Sequence, residues 1–438
     1  MKRLIAMVAA CVTVATVRAE TPVPFEALLE KALQGPAAQE ARTQIDRASA
    51  EAAGVRGGLL PQASASVQGW SLARDPGFLL PRNTIGNPEP MPLVDGERQA
   101  YSTGITAEQL LWDFGKATRA LRAARLGVEA ARLFAEAVDE LVRYRTVMAV
   151  AEWDRTLALS AATQSSIADK QELVHQITAL VNQEQAPQAE LLQAQAALAL
   201  AHLEEADRGA DLGRARAAVE RLTGEPLQTD AKPYWPPLPP LPDGTPTEVA
   251  QRAMEKRPTP RAYARVAESA RAAASAVSAS RLPEIKVEGT VQRVDDSYQL
   301  HKDNATLAIV ASIPLTTGGK ISAERASHEA DARRSDAQSE QACRETREQV
   351  AVALAEDQAA SARIDAATAA EVAASEALRL SKQRYDNELI SGRDLLSSEN
   401  DASHARQALA VARTGQRAAR LAVRIAAGEP LIPVIPGK

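Results

Sequence analysis

The residue types that most often perform chemistry occur along this chain without combining into a catalytic set. Five histidines, His175, His202, His301, His328 and His404, show no ligand spacing, whereas metal sites place their ligands in close pairs. No Ser/His/Asp or Cys/His arrangement suggests a nucleophile. Asp113-Phe114-Gly115 spells a kinase tripeptide but lacks the accompanying Gly-rich and catalytic loops. Gly318-Gly319-Lys320 lacks the spacing of a phosphate-binding loop. The expectation is a non-enzyme with no cofactor and no bound metal. What remains is electrostatic. Two breaks in Ala-rich sequence, Val181 to Leu192 and Tyr385 to Leu396, each carry an acidic residue followed by two leucines, Glu190-Leu191-Leu192 and Asp394-Leu395-Leu396. A carboxylate just past a turn sits at the start of the next helix, where the helix dipole favours it.

These breaks must be positioned by helices. Asn387, Ser391 and Gly392 are the only breaker-type residues for many turns on either side of the second one, so it reads as the tight turn of a very long helical hairpin. Aromatics are 3% of the 438 residues and charged residues 24%. Such a composition suits long helices packed through small residues better than a compact aromatic core. The net charge is −5 and there is no basic run, so nucleic acid is not expected as a partner. Met1-Lys2-Arg3 followed by apolar Leu4 to Val17 reads as a signal peptide over residues 1–19, with Val17-Arg18-Ala19 at the cleavage spacing. Val8-Ala9-Ala10-Cys11 is similar to a bacterial lipid-attachment box, although the apolar run continues past it. Cys343 is the one other cysteine and is expected as a packed thiol.

The chain is internally duplicated. Leu60-Pro61-Gln62 matches Leu282-Pro283-Glu284, Gly115-Lys116 matches Gly319-Lys320, and Gly224-Glu225-Pro226-Leu227 matches Gly428-Glu429-Pro430-Leu431. The offset changes between Leu60 and Gly115, which places an insertion in the first repeat. Asp75 to Glu97, rich in proline, is the candidate and is expected as a long exposed loop. The expected organisation is a first repeat over 20–230, a Pro-rich linker over 231–246, a second repeat over 247–431 and a tail over 432–438. Strands are expected at about 60–73, 98–112, 283–294 and 303–315, and helical hairpins at about 115–222 and 319–427.

The strand periodicity is clearest where Ile285, Val287, Gly289 and Val291 alternate with Lys286, Glu288, Thr290 and Gln292. About ten residues with one apolar and one polar face fit a lipid-exposed barrel strand, and a soluble two-sided hairpin has the same alternation. Trp70 and Trp112 fall at opposite ends of the first hairpin, as interface anchors would. Four strands cannot close a membrane barrel, and open edges are not tolerated in lipid; three copies would supply twelve. Between strands and turns, Leu121, Ala124, Val128, Ala131, Ala135, Val138 and Val142 form a coiled-coil seam of small residues. A helix from about Lys116 to Val181 is roughly 100 Å long. An ordinary soluble bundle would share this seam.

The order of these features, a Leu-Pro strand start, a strand pair ending in Gly-Lys, a long helix, a turn with acidic-Leu-Leu and a helix ending in Gly-Glu-Pro-Leu, all occurring twice, resembles the TolC-like outer-membrane efflux protein family. Gln109 to Lys116 looks like that family's strand-to-helix junction. The resemblance implies a mainly α fold with a small β part, built as a homotrimer in which four strands per chain contribute to a shared transmembrane β-barrel. It implies a passive exit duct in outer-membrane lipid, with a periplasmic extension. Its partners would be a periplasmic adaptor (a membrane fusion protein) and an inner-membrane transporter, for efflux of drugs or metals. The alternatives are a duct for type I protein secretion and a periplasmic coiled-coil adaptor or scaffold.

By the same resemblance Asp394 occupies the position of a family aspartate that narrows the periplasmic mouth. The second such aspartate is Ser397 here, so the constriction is expected to be weaker or to be completed by Glu399. Tyr385 and Glu190 match a pair that links the hairpins, and Arg393 stands in for an arginine whose position is Ile390 here. Adaptor-contacting tips would comprise Glu184, Gln185 and Pro187 in one hairpin and Glu388, Leu389 and Ser391 in the other. Glu184 and Glu388 stand where the family often has glycine.

Overall fold

The computed structural model describes residues 21–71, 78–94, 99–295, 302–387 and 389–431. The expected signal peptide, Cys11, Glu388 and the tail over 432–438 lie outside these residues. In chain order the elements are β1 (Thr21–Pro24), α1 (Phe25–Leu33), α2 (Pro36–Gly57), β2 (Gln62–Ser71), β3 (Phe78–Leu80), β4 (Met91–Val94), β5 (Gln99–Trp112), α3 (Lys116–Asn182), α4 (Gln188–Thr223), β6 (Ala231–Tyr234), α5 (Pro246–Lys256), α6 (Pro258–Ala279), β7 (Glu284–Asp295), β8 (Asp303–Ser312), α7 (Lys320–Asp386) and α8 (Gly392–Ala426). The chain is mainly helical, and α3 and α7 are each 67 residues long.

Two findings differ from the sequence expectation. The Pro-rich insertion is not a bare loop, because β3 and β4 pair antiparallel inside it. The linker does not begin as irregular chain, because β6 pairs in parallel with β1. Both pairings escape a periodicity reading because the strands are three or four residues long, too short for an alternation to register. The compact units also cut across the repeats. Among the described residues, one comprises those up to 39, 138–257 and those from 345 onward; the other comprises those within 40–137 and 258–344.

The second of these units holds a four-stranded antiparallel sheet in the order β2-β5-β7-β8. Its register aligns the faces of all four strands. Ala65, Ile105, Val291 and Ala305 form one cross-strand row, and Ala63, Ala107, Gly289 and Leu307 another on the same face. On the opposite face Ser64, Thr106, Thr290 and Thr306 form a hydroxyl row, with Ser66, Gly104, Gln292 and Asn304 two residues along. Over these rows the sheet has one apolar face and one polar face, because directly opposed residues in an antiparallel ladder point the same way. The apolar face is bare: Leu307 is 80% exposed and Val67 77%. Among the described residues β2 and β8 are edge strands. No helix among these residues is long and apolar enough to cross a membrane.

The strands join the long helices through Gly-Lys. Gly115 and Gly319 both have positive φ, 86° and 84°, a conformation open to glycine at no steric cost, which explains why the motif recurs. Asp113 then accepts hydrogen bonds from the Gly115 and Ala117 amides at 2.9 and 2.6 Å. The Asp-Phe-Gly tripeptide is thus a helix cap.

In the other unit the helices pack around three apolar clusters. The largest gathers Phe25, Leu28, Val147, Val150, Trp153, Val219, Leu421 and Ile425. Trp235 stacks on Phe25 with ring centroids 5.0 Å apart and donates its indole N–H to Asp154 at 2.9 Å. The Pro-rich segment after β6 has carbonyls but few amides, so its acceptors need side-chain donors. Arg420 and Arg424 of α8 supply them, donating to the Pro239 and Pro240 carbonyls at 3.4 and 3.2 Å. Arg420 also holds the buried Asp357 carboxylate of α7 with two bonds, 2.7 and 3.1 Å.

Candidate functional site: the hairpin tips

The two turns share one closing backbone bond. After α3, the Gln185 amide donates to the Leu180 carbonyl at 2.9 Å and the Glu184 amide to the Val181 carbonyl at 3.0 Å. This is the Schellman closure, whose penultimate residue must be left-handed. That residue is Glu184, with φ 60°. After α7 the Leu389 amide donates to the Arg384 carbonyl at 2.9 Å, the same six-residue span. The left-handed backbone at Glu184 gives a physical reason for glycine at this turn position, since a side chain there is strained.

The next helices start differently. Ser391 caps α8: its hydroxyl accepts from the Asp394 amide at 3.3 Å, and the Asp394 carboxylate accepts from the Ser391 amide at 3.3 Å and hydroxyl at 2.9 Å. This reciprocal capping box satisfies two orphan donors. Asp394 stays exposed, as do Arg393 and Ser397. At the matching place before α4 stands Pro187, which has no side-chain cap to offer. Glu190, the counterpart of Asp394, is therefore not drawn back onto its own helix start. Its carboxylate instead lies over Gly392, so close that a Cβ there would sit 2.7 Å from Oε2. The two matched carboxylates thus converge on the N-terminus of α8, one from its own chain segment and one from the other hairpin. A helix N-terminus accommodates such charge.

Beneath them an apolar cluster joins both hairpins. Leu173 and Ile177 of α3, Ala194 of α4, Leu378 of α7, and Leu395 and Ala402 of α8 are buried together, with Tyr385, Ile390, Leu191 and Leu396 packed against them. The paired leucines of the acidic-Leu-Leu motif are therefore core residues. Tyr385 is part of this junction, and Glu190 reaches it through Gly392. Gln185, Pro187, Leu389 and Ser391 are exposed at the turns.

Glu399 lies elsewhere than the exposed tip. It is 2% exposed and enclosed by the helices. Lys170 of α3 is also buried, with its ammonium on the Ser166 hydroxyl at 2.8 Å. Arg406 of α8 crosses to Ser165 at 3.0 Å and Asp169 at 3.1 Å. Burial pushes the Glu399 carboxyl up from its ordinary value, against the positive charges of Lys170, Lys382 and Arg406. Burial pushes the Lys170 ammonium down, with Glu399 the leading opposing charge. This buried polar cluster was not legible in the sequence, where carboxylates interleaved with Arg and Lys read as a solvated face.

Among the described residues no cluster of His, Cys, Asp and Glu could hold a metal ion. Two cavities of about 210 Å³ open beside Asp113, Lys116 and Glu284 at the strand-to-helix junction.

Residues 249–429 match the family described as outer membrane efflux protein. Comparison with curated proteins returns no significant match. Among solved structures, VceC of Vibrio cholerae, an outer membrane protein, is 18% identical with a TM-score of 0.76, over 93% of this chain and 97% of that one. The CmeC outer membrane channel of Campylobacter jejuni is 16% identical with a TM-score of 0.76, over 92% and 85%. The MtrE outer membrane channel of Neisseria gonorrhoeae is 21% identical with a TM-score of 0.70, over 93% and 89%. Residues 249–429 thus carry the sequence pattern of the outer membrane efflux protein family, and more than nine-tenths of the chain shares its fold with these outer membrane channels.

Proposed function

We propose that three copies of the chain form a passive channel that exports substrates handed over by a periplasmic adaptor and an inner-membrane transporter. The observation that carries this reading is the four-stranded sheet with one bare apolar face and two open edges. A lipid-facing sheet cannot keep open edges, and four strands are too few to close on themselves, so neighbouring copies must pair β2 with β8. Three copies give twelve strands, within the range of closed barrels. The apolar face then meets lipid and the hydroxyl rows face the lumen.

In this reading the hairpin tips form the periplasmic mouth. Asp394 is exposed there, and three copies make a carboxylate ring that favours cations. Ser397 and Arg393 flank it. Glu399 is enclosed in the wall and does not join the ring. Glu190 and Tyr385 tie the hairpins together beneath the mouth, and Gln185, Pro187 and Leu389 present the surface on which an adaptor would dock. Small molecules or metal ions are the cargo class proposed.

The purified chain is expected to run as a detergent-stable trimer and to conduct ions in planar bilayers. Recovery as a soluble periplasmic monomer would refute the channel. Asp394→Ala is expected to reduce cation preference and cation block of the single-channel current; unchanged values of both would remove Asp394 from the mouth.

A further inference from the structure

We propose that Glu399, buried within reach of the Lys170 charge, acts as a proton-operated latch inside the wall: its proton favours the packing of the first hairpin on the second just beneath the tips, and the hairpins release as Glu399 gives that proton up. The proposal rests on the channel reading and deepens it.

Four observations converge on this pair. Glu399 on α8 and Lys170 on α3 are 2% and 7% exposed, although they belong to different hairpins. The Glu399 Oε2 atom is fully enclosed and accepts no hydrogen bond among the described residues. Ionised groups are seldom buried without a bonded partner, because the desolvation cost is large. The apolar junction of the tips, with Leu173, Leu395 and Ala402, contains the neighbouring turns of the same two helices. The remaining contacts are polar and bridge helices: Ser381 of α7 shares a hydrogen bond of 2.8 Å with Ser398 of α8, and Arg406 binds Ser165 and Asp169 of α3.

The charges facing the pair come from every helix around it. Lys170 and Asp169 stand on α3, Lys382 on α7 and Arg406 on α8, while Glu204 of α4 acts on Lys170. Burial is the largest influence on Glu399 and raises its carboxyl above the ordinary range; the three basic groups oppose this. A carboxyl held high binds its proton more tightly in the packed wall than in water. Protonation therefore favours the packed arrangement. That contribution is complete at pH below the ordinary carboxylate range and is lost as pH rises through the raised value of Glu399. Lys170 acts in the opposite sense, since its lowered ammonium favours the packed wall above the ordinary lysine range and loses that contribution as pH falls through the lowered value. Separation of the hairpins hydrates Glu399, so opening releases a proton and acid holds the mouth shut.

Single-channel recordings of the full chain in planar bilayers, from about pH 5 to about pH 8, test this. Open probability of the wild type is expected to rise with pH, by up to about tenfold per pH unit for each protomer, the limit for one linked proton. Glu399→Gln, the shape of the protonated acid, is expected to stay mostly closed and flat across the range. Lys170→Met removes an opposing charge and is expected to move the rise to higher pH. Asp394→Asn keeps the rise, because the exposed ring is not the latch. A flat wild type, or a Glu399→Gln channel that follows pH like the wild type, overturns the proposal. Thermal unfolding in detergent over the same pH range reads the same proton without conductance. The wild-type melting temperature should fall as pH rises while that of Glu399→Gln does not, and equal pH dependence also overturns the latch. Absence of conductance alone would instead refute the channel reading.

Discussion

The bond between Arg420 and Asp357 offers a quantitative test of how the second hairpin and the Pro-rich linker hold together. The Asp357 side chain is 4% exposed and that of Arg420 19%. The guanidinium grips the carboxylate with two bonds of 2.7 and 3.1 Å and spends its remaining arm on the Pro239 carbonyl. Arg420→Met leaves a carboxylate buried without its partner. Breaking a buried pair in this way costs about 3–5 kcal/mol, and the partial exposure of Arg420 lets water reach the site, so a loss of about 3 kcal/mol is expected. Asp357→Leu costs less, about 2 kcal/mol, since the arginine head can swing to solvent along its apolar stem. Arg420→Met with Asp357→Leu replaces both charges by apolar groups of similar volume and should return to within about 1 kcal/mol of the wild type. The coupling in the double-mutant cycle is then roughly 4 kcal/mol. Urea unfolding in detergent, followed by helical circular dichroism, measures all four proteins. A double variant as unstable as the sum of the singles would show that this pair is not a linked unit and would refute the reasoning.

Two predictions concern the tips. Glu184→Gly relieves a side chain held at φ 60° and should stabilise the turn by up to about 1 kcal/mol, net of the extra freedom of the unfolded chain; a lower melting temperature would contradict this. Gly392→Ala places a Cβ 2.7 Å from the Glu190 carboxylate and should displace that side chain from the start of α8 at a cost of up to about 1 kcal/mol. Adding Glu190→Ala should recover the loss, and a double variant no better than Gly392→Ala would show that the close approach does not constrain the junction.

The long helices, the four sheet strands and the matched turns were legible because each leaves a local mark. Gly-Lys and Gly-Glu-Pro-Leu recur where the backbone turns left-handed, as at Gly115, Gly319, Gly224 and Gly428. The spacing Ser391-x-x-Asp394 is itself a capping-box signature. The β8 alternation was poor in sequence, yet register with β7 puts Leu307 and Ile309 on the apolar face. What stayed hidden depends on partners distant in the chain. Thr21–Pro24 has no pattern of its own and pairs with a segment beyond the whole first hairpin. Glu399 lies between the polar Ser398 and Asn400 of α8, so its sequence neighbours gave no sign that tertiary packing encloses it. The divergence of Glu190 from Asp394 follows from one residue, Pro187 in place of Ser391, but its destination over Gly392 requires the folded junction.

The order of strands in the sheet also governs when it can form. β2 and β5 are joined within the first repeat and can pair as soon as residue 112 has emerged, yet the other edge of β5 is reserved for β7, which begins at Glu284. During synthesis from the N-terminus the intervening α3, α4, α5 and α6 must appear first. For that interval a strand with bare Ile105 and a full row of unpaired amides waits for its neighbour, an edge on which foreign chains can nucleate. The same delay applies to β1 and β6. The interval between the two repeats is therefore a kinetic hazard of this topology.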